Sequence, residues 1–421
     1  MDAFQLTPAL ITSVVIVFGL LSITSITLPG IRETRKAGVA MARQEGLIAA
    51  EPDAEAELYG FGFYFLVPGL NEEEVIGGTL SALLKDQPGA TVVVIDDGSD
   101  DRTAEMVRSY EHTGRVELLS RTFPNARLGK GKALNHGIEW VRADVADRGV
   151  DTSKVIVAVM DADGRMTANA TSAVAREFCQ FARLAALDEV GAEPWSDSLT
   201  GDLDLGISLA VLGWRTTSMP WSCVTQQGVG DLRRLVRRRT RWYQSRMASM
   251  RRLPELARSR YLPTGRFLEH AAYLAVPWVV SLPWSVLQQY LLVELLTGHG
   301  LPSVGGSPPM GRVLLGVLWC VVSFTPHVLW GFVYWRRACT APLWKALAMA
   351  HLMIPWSYVA HLAAWRALAR IILRRNSWAE TRRMAERGPA QLGGAASGGG
   401  ELPGPPAKPS LEPASDGADL R

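Results

Sequence analysis

The sequence predicts an α/β domain, built on a mainly parallel sheet and joined to transmembrane helices. Three observations predict it. Short apolar stretches alternate with helical ones between residues 61 and 161, acidic residues stand where those apolar stretches end, and four long uncharged runs lie outside that region.

FGFYFLVP (61–68) reads as a buried strand, after which Asn71 is expected to cap a helix with Glu72–Glu74 in its first turn. TVVVID (91–96) is a second strand and 101–112 a helix. RVELLS (115–120) is a third strand, and 131–146 is helical. KVIVAVMD (154–161) is a fourth strand. Continuous Val/Ile strands separated by helices imply a parallel sheet covered on both faces. In such sheets ligands bind at the carboxyl ends of the strands.

The chain has 421 residues, 48% hydrophobic and 20% charged, with a formal net charge of +3. That is room for one or two domains. Residues 3–31, 271–293, 313–335 and 346–365 carry no charge. Each is long enough, or nearly so, to cross about 30 Å of hydrocarbon as a helix. A buried core helix imitates one such run, not four. The first lacks a basic leader and is followed by Arg32, Arg35 and Lys36, so it is no cleavable signal. Lys and Arg in the flanks put residues 32–266 and 336–345 on the cytoplasmic side of an integral plasma-membrane protein, with 295–311 outside. The last run is expected to bend back near Pro355, keeping the C-terminus cytoplasmic.

The expected order is a transmembrane helix (1–31), a linker (32–59), the α/β domain (60–266), further transmembrane helices (267–373) and a cytoplasmic, largely disordered tail (374–421). From about Gly388 that tail is rich in Gly and Pro. Cys179, Cys223, Cys320 and Cys339 are scattered, indicating neither a disulfide framework nor a zinc site. The seven histidines show no metal spacing. The lipid bilayer is a predicted partner and nucleic acid is not.

The chemistry gathers at the strand ends. The first strand ends in VPGLNEEE, the second in DDGSDDRT and the fourth in DADG. An isolated Asp-x-Asp with Asp-Gly suits a turn. Three acidic strand ends, however, repel one another unless a cation or a donor-rich ligand lies between them. The basic loop RLGKGKALNHG (127–137) sets Lys130 and Lys132 among glycines, a composition suited to phosphate oxygens. Carboxylates and lysines at one rim suggest Mg²⁺ or Mn²⁺ with a diphosphate, since Mg²⁺ is usually held by one or two carboxylates plus substrate phosphates.

VPGLNEEE, VVVIDDGSDDRT, GKGKALNHG, VMDADG, LTGDLDLGISLAVLGWR and RRRTRW occur in this order, and so the chain resembles the membrane-embedded family 2 glycosyltransferases of the cellulose, hyaluronan and poly-N-acetylglucosamine synthase type. The likeness covers roughly residues 60–250. It implies a GT-A fold, Rossmann-like, and a nucleotide-diphospho sugar, most often a UDP-sugar, as donor to a glycan or polysaccharide acceptor. By the same resemblance Asp96 and Asp97 contact base and ribose, and Lys130 the nucleotide. Asp161 and Asp163 match the metal-binding Asp-x-Asp, with Asp161 also toward the nucleotide. Asp202 matches the aspartate of Thr-Glu-Asp, the general base toward the acceptor hydroxyl. Arg241 and Trp242 match the end of Gln-x-x-Arg-Trp. Arg238, Arg239 and Arg241 are assigned to the diphosphate and acceptor side, and Trp242 to stacking on a sugar ring. The reaction implied is an inverting displacement.

The chain departs from that pattern. Gly201 stands where the family has Glu, and Arg238 where it has Gln. Only 38 residues separate Asp163 from Asp202, fewer than half the usual number in relatives, with one helix expected over 169–187 and no strand. The sheet edge should therefore be uncovered. Residues 233–260 hold eleven Arg and only Glu255 as an acid, most of them expected to face anionic lipid. A second reading is a catalytically impaired descendant that binds nucleotide sugar or a partner without turnover. A transporter fits less well, because the membrane runs lack acidic and basic centres other than histidine. A dinucleotide-binding oxidoreductase lacks G-x-G-x-x-G after the first strand.

Overall fold

The computed structural model describes residues 61–166, 181–196, 198, 200–214, 224–225, 231–296, 317, 325–336 and 342–375. The expected first transmembrane helix, the linker, about half of the run 313–335 and the tail from 376 lie outside the described residues.

Four strands run parallel: β1 (Gly62–Gly69), β2 (Thr91–Asp96), β3 (Val116–Ser120) and β4 (Val155–Val159). A two-residue strand β5 (Arg165–Met166) follows β4, and β6 (Phe181–Arg183) pairs antiparallel with β4. The main sheet has the order β3-β2-β1-β4-β6. The strands are Val- and Ile-rich because both faces are covered, and Phe65, Leu66, Val67, Val92, Val93, Val94 and Ile95 are fully buried.

Alternation along the strands feeds two cores. Phe63, Phe65, Val92 and Val94 pack under Ile76, Leu80 and Leu83 of α1 (Ile76–Asp86) and Val107 of α2 (Thr103–Glu111). On the other face Tyr64, Leu66, Val93 and Ile95 meet Leu134, Ile138 and Val141 of α3 (Lys130–Asp147) and Leu184 and Leu187 of α4 (Leu184–Val190). Burying each such side chain is worth roughly 1.5–3 kcal/mol, so the two layers hold the sheet as a rigid base for its loops.

Three expectations are corrected here. Asn71 caps no helix. The helix starts at Ile76, and Asn71 sits at φ 55° with its Oδ1 accepting from the Asp100 N–H at 2.9 Å and its N–H donating to Ser99 Oγ at 2.9 Å. Its amide thus ties the β1 loop to the β2 loop. The stretch 181–183, expected as part of a helix, is a strand, and helix begins only at Leu184. The exposed edge of β4 offers unpaired backbone groups, and three residues satisfy them, so the expected bare edge is covered. The remainder of that expected helix, 169–180, lies outside the described residues.

Beyond the sheet come α5 (Gly201–Val211), a short strand β7 (Val224–Thr225) paired with β5, α6 (Leu232–Ser249), α7 (Leu253–Arg258), α8 (Thr264–Val276), a π-helical turn over Pro277–Ser281, α9 (Leu282–Leu296) and α10 (Leu343–Ile372). Among the described residues two helical stretches, Thr264–Gln289 and Leu343–Ile372, are long and apolar enough to cross a membrane. The third correction concerns α10, which runs unbroken through Pro355 where a bend back was expected. One missing N–H does not end a helix whose neighbouring turns persist. Lys345 and Arg370 therefore occupy opposite ends of one continuous helix. Near its C-terminus α10 packs on α6, where Met247 and Tyr243 meet Ala364, Ala367, Leu368 and Ile371. Gln244 clasps the same end. Its Nε2 donates to the Arg375 carbonyl at 2.9 Å and its Oε1 accepts from Arg370 Nε at 2.8 Å.

Candidate active site

The strand order reverses at β1, which lies between β2 and β4. At such a switch point the loops on either side part and leave a crevice at the carboxyl ends of the strands. Gly69 ends β1 opposite Asp96 of β2, so no side chain of β1 fills the gap at that level. Across it, the acidic ends of β2 and β4 stand two strand spacings apart, roughly 10 Å.

On the β2 side Asp96 and Asp97 are both buried, at 5% exposure. Asp96 Oδ1 accepts from the Ser99 N–H at 3.0 Å, which closes the turn DDGS. Asp97 forms an ion pair with Arg121, both side chains being 8% exposed. Burial pushes the Asp97 carboxyl above the usual range. The Arg127 backbone N–H and the Arg121 guanidinium oppose that rise, and neighbouring Asp96 adds to it. Arg127 donates to the Gly98 carbonyl through Nε (3.1 Å) and Nη2 (2.7 Å), drawing the loop after β3 against the end of β2. Gly98 is required there: φ is +83°, and a Cβ would stand 2.9 Å from that of Ala126.

On the β4 side the chain leaves the strand in a tight turn, the Gly164 N–H donating to the Asp161 carbonyl at 2.8 Å. Asp163 is buried at 5% exposure. Asp161 is one-third exposed and receives Lys130 Nζ at 2.7 Å from the first residue of α3. The loop after α4 borders this corner. Asn135 donates to the Trp195 carbonyl at 2.8 Å and accepts from its N–H at 3.0 Å. Lys132 pairs with Glu193 at 2.7 Å, so of the two lysines of the basic loop it is Lys130 that meets an acid of the rim.

The residues present fit a divalent cation. Asp161 and Asp163 are hard oxygen donors one residue apart on a fixed turn, and one or two carboxylates plus substrate oxygens suit Mg²⁺ or Mn²⁺. Among the described residues no three His, Cys, Asp or Glu cluster as an all-protein cage.

Asp202 stands in the first turn of α5, exposed, with no hydrogen-bond or ion-pair partner among the described residues. Its neighbours are anchored. Thr200 and Ser245 share a hydroxyl–hydroxyl bond that ties the start of α5 to α6. Asp204, 8% exposed, accepts from Arg252 Nη1 at 2.9 Å and from the Ser196 hydroxyl. Arg238 lies over the half-exposed Trp242 ring, 5.0 Å from its centroid. The Arg239 Nε is buried with no hydrogen-bond partner among the described residues.

The structure thus brings Lys130 to Asp161 and Arg238 to Trp242, with Asp96 and Asp97 across the β1 gap from Asp161. The sequence reading missed Arg121, Asn135, Asp204 and Arg252. Arg121 was the readable one, a basic residue one place beyond β3 and therefore level with the acidic end of β2. Asp204 and Arg252 lie 48 residues apart with no spacing rule to join them.

Residues 64–203 match the family described as Glycosyl transferase family 2, and residues 179–373 match Glycosyl transferase family group 2. The chain is thus similar to family 2 glycosyltransferases over these two stretches, each less than half of its length. The two matches overlap over 179–203.

Curated relatives are similar over shorter stretches. A probable glycosyltransferase, YdaM, of Bacillus subtilis is 36% identical over 86 residues, 19% of this chain and 20% of the relative. The poly-beta-1,6-N-acetyl-D-glucosamine synthase of Staphylococcus epidermidis is 32% identical over 96 residues, 21% of this chain and 23% of the relative. The matches span about a fifth of these relatives' lengths. Among solved structures, the mannosyltransferase PcManGT from Pyrobaculum calidifontis, in complex with GDP-Man and Mn²⁺, aligns over 81% of this chain and 99% of its own, at 17% identity and a TM-score of 0.48.

Proposed function

We propose that this glycosyltransferase transfers a sugar, with inversion, from a UDP-sugar to a growing polysaccharide or glycan acceptor at the plasma membrane, its catalytic domain facing the cytoplasm. The observation that carries this is the switch-point corner. There Lys130 reaches Asp161 at 2.7 Å beside the buried Asp163, across the β1 gap from Asp96 and Asp97. Carboxylates at one end accept from a nucleoside, and the Asp161–Asp163 turn with Lys130 suits a diphosphate. The polysaccharide synthase among the relatives supports a polymer as acceptor.

Roles follow from chemistry. Asp97, fixed by Arg121, accepts from the ribose or base, with Asp96 shaping the loop beside it. Asp161 and Asp163 would hold Mg²⁺ or Mn²⁺, which when bound neutralises charge on the departing nucleotide. Asp202, with no partner among the described residues, takes the proton of the incoming hydroxyl. Arg239 and Arg241 hold the diphosphate, as guanidinium forks suit its paired oxygens. Arg238 stiffens the Trp242 ring that stacks on the acceptor sugar. The two apolar helices, Thr264–Gln289 and Leu343–Ile372, supply the membrane anchorage.

A second reading, a nucleotide-sugar-binding protein without turnover, rests on the short Asp163–Asp202 stretch and on Asp202's exposure. One experiment separates the two. Purified in membranes with Mn²⁺, the protein should transfer or hydrolyse a UDP-sugar, and Asp202→Asn should abolish turnover while sparing UDP binding. UDP binding with no turnover under any acceptor condition favours the second reading. Failure to bind UDP at all sinks both.

A further inference from the structure

We propose that Thr79 is a positioning residue for the acidic turn 161–164, holding it from inside the sheet layer so that Asp161 and Asp163 face the crevice together. The inference rests on the reading above, in which that turn receives a metal-bound diphosphate.

Thr79 ends the first turn of α1 and is fully buried. A hydroxyl there costs free energy unless it is bonded. In a helix such a hydroxyl ordinarily turns back to the carbonyl four residues earlier, and Thr79 Oγ1 does lie 3.4 Å from the Val75 carbonyl. The shorter bond goes elsewhere, to the Ala162 carbonyl at 2.5 Å, 83 residues away. Ala162 is itself fully buried and stands between the two aspartates. Its carbonyl belongs to the peptide that precedes Asp163, so fixing that oxygen fixes the plane from which Asp163 departs.

A second donor completes the arrangement. Arg165 Nη1 donates to Thr79 Oγ1 and also to the Gly164 carbonyl at 3.0 Å. The hydroxyl therefore accepts from Arg165 and donates to Ala162, and the turn is held at two of its carbonyls. Gly164 closes the turn with no room for a side chain, since a Cβ would stand 2.7 Å from Met160 Cγ. Neither Thr79 nor Arg165 touches the crevice in this scheme. Both act through the aspartates.

The test compares Thr79→Val, which keeps shape and removes the hydroxyl, with Thr79→Ser, which keeps the hydroxyl. Arg165→Gln is a third variant that tests the same support should Thr79→Val fail to fold. Two readouts are taken: titration of Mn²⁺ with UDP by calorimetry, and amide hydrogen exchange over residues 160–165. The expected result for Thr79→Val is Mn²⁺–UDP affinity lower by roughly tenfold, the scale set by leaving a buried acceptor unpaired, together with faster exchange confined to that turn. Thr79→Ser should match the parent in both. Thr79→Val with unchanged affinity and unchanged exchange overturns the proposal, as does faster exchange with affinity intact. If the parent protein binds no Mn²⁺–UDP, the functional reading above falls. The exchange comparison then decides alone whether Thr79 holds the turn.

Discussion

Arg252 reaches Asp204 from 48 residues along the chain, Nη1 to Oδ1 at 2.9 Å, with the two side chains 16% and 11% exposed. The same guanidinium also donates to the Asp204 carbonyl at 2.7 Å and to Ser208 Oγ at 3.0 Å, and it pairs with Glu255. One arginine thus seats the first turns of α5, the helix that begins beside Asp202.

Removing that arginine leaves a buried carboxylate without its charge partner. Arg252→Ala is expected to destabilise the protein by roughly 3 kcal/mol, the scale for breaking a buried pair from one side. A denaturant titration followed by tryptophan fluorescence measures it. Asp204→Asn combined with Arg252→Met should recover much of the loss. A double variant as unstable as Arg252→Ala would show that packing, not charge, accounts for the effect.

Two glycines should respond in opposite senses to alanine. At Gly131 a Cβ would meet the Ser196 carbonyl oxygen at 2.5 Å, and that backbone is clamped by Asn135 through Trp195. Gly131→Ala should cost roughly 1–3 kcal/mol. At Gly206, inside α5, a Cβ meets nothing within 4 Å. Gly206→Ala should gain about 0.5–1 kcal/mol from helix propensity and from the stiffer unfolded chain. Melting temperatures of the two variants against the parent check both signs.

Lys130 and Asp161 are each about one-third exposed. Solvent screens such a pair, so Lys130→Met should change stability by less than about 1 kcal/mol. If the charge serves a diphosphate, the variant should nevertheless bind UDP more weakly and with a shallower salt dependence. Calorimetric titrations at two ionic strengths read this out, and equal affinity for parent and variant would remove Lys130 from the site.

Asp97 titrates above the ordinary carboxylate range because it is buried. The folded state therefore holds this proton more tightly than the unfolded state does. The group favours folding most fully below its ordinary value, and that contribution is lost as pH rises through the raised one. If Asp97 accepts from a nucleotide as proposed, binding runs the other way, since the ionised form is the acceptor. UDP affinity should fall on acidification with an apparent midpoint above the usual aspartate value. Asp97→Asn should flatten both the stability curve and the binding curve in that window, and a binding midpoint unmoved by the substitution would assign the titration to another group.

The parallel sheet was legible because its strands are continuous Val, Ile and Phe runs whose ends are marked by Gly, Asn or Asp. The acidic rim was legible for the same reason, as DDGS and DADG follow directly on strands. Strand 181–183 was not, because three residues of Phe-Ala-Arg carry no periodicity and their pairing is decided by the free edge of β4. Asn71 looked like a cap from its place before three glutamates, yet its Oδ1 accepts from the Asp100 N–H and its backbone N–H donates to Ser99, partners that only the fold brings near. Arg252 was hidden in a crowd of arginines expected to meet lipid. Charge composition cannot say which member of such a run turns inward.

Gln244 and Ser245 are consecutive residues of α6, and they hold different things. Gln244 fastens the end of α10 through Arg370 and Arg375, while Ser245 fastens Thr200 at the threshold of Asp202. A single peptide link therefore separates the mooring of the apolar bundle from the mooring of the proposed base. A tilt of that bundle relative to the sheet would reach Asp202 with no slack segment in between to absorb it.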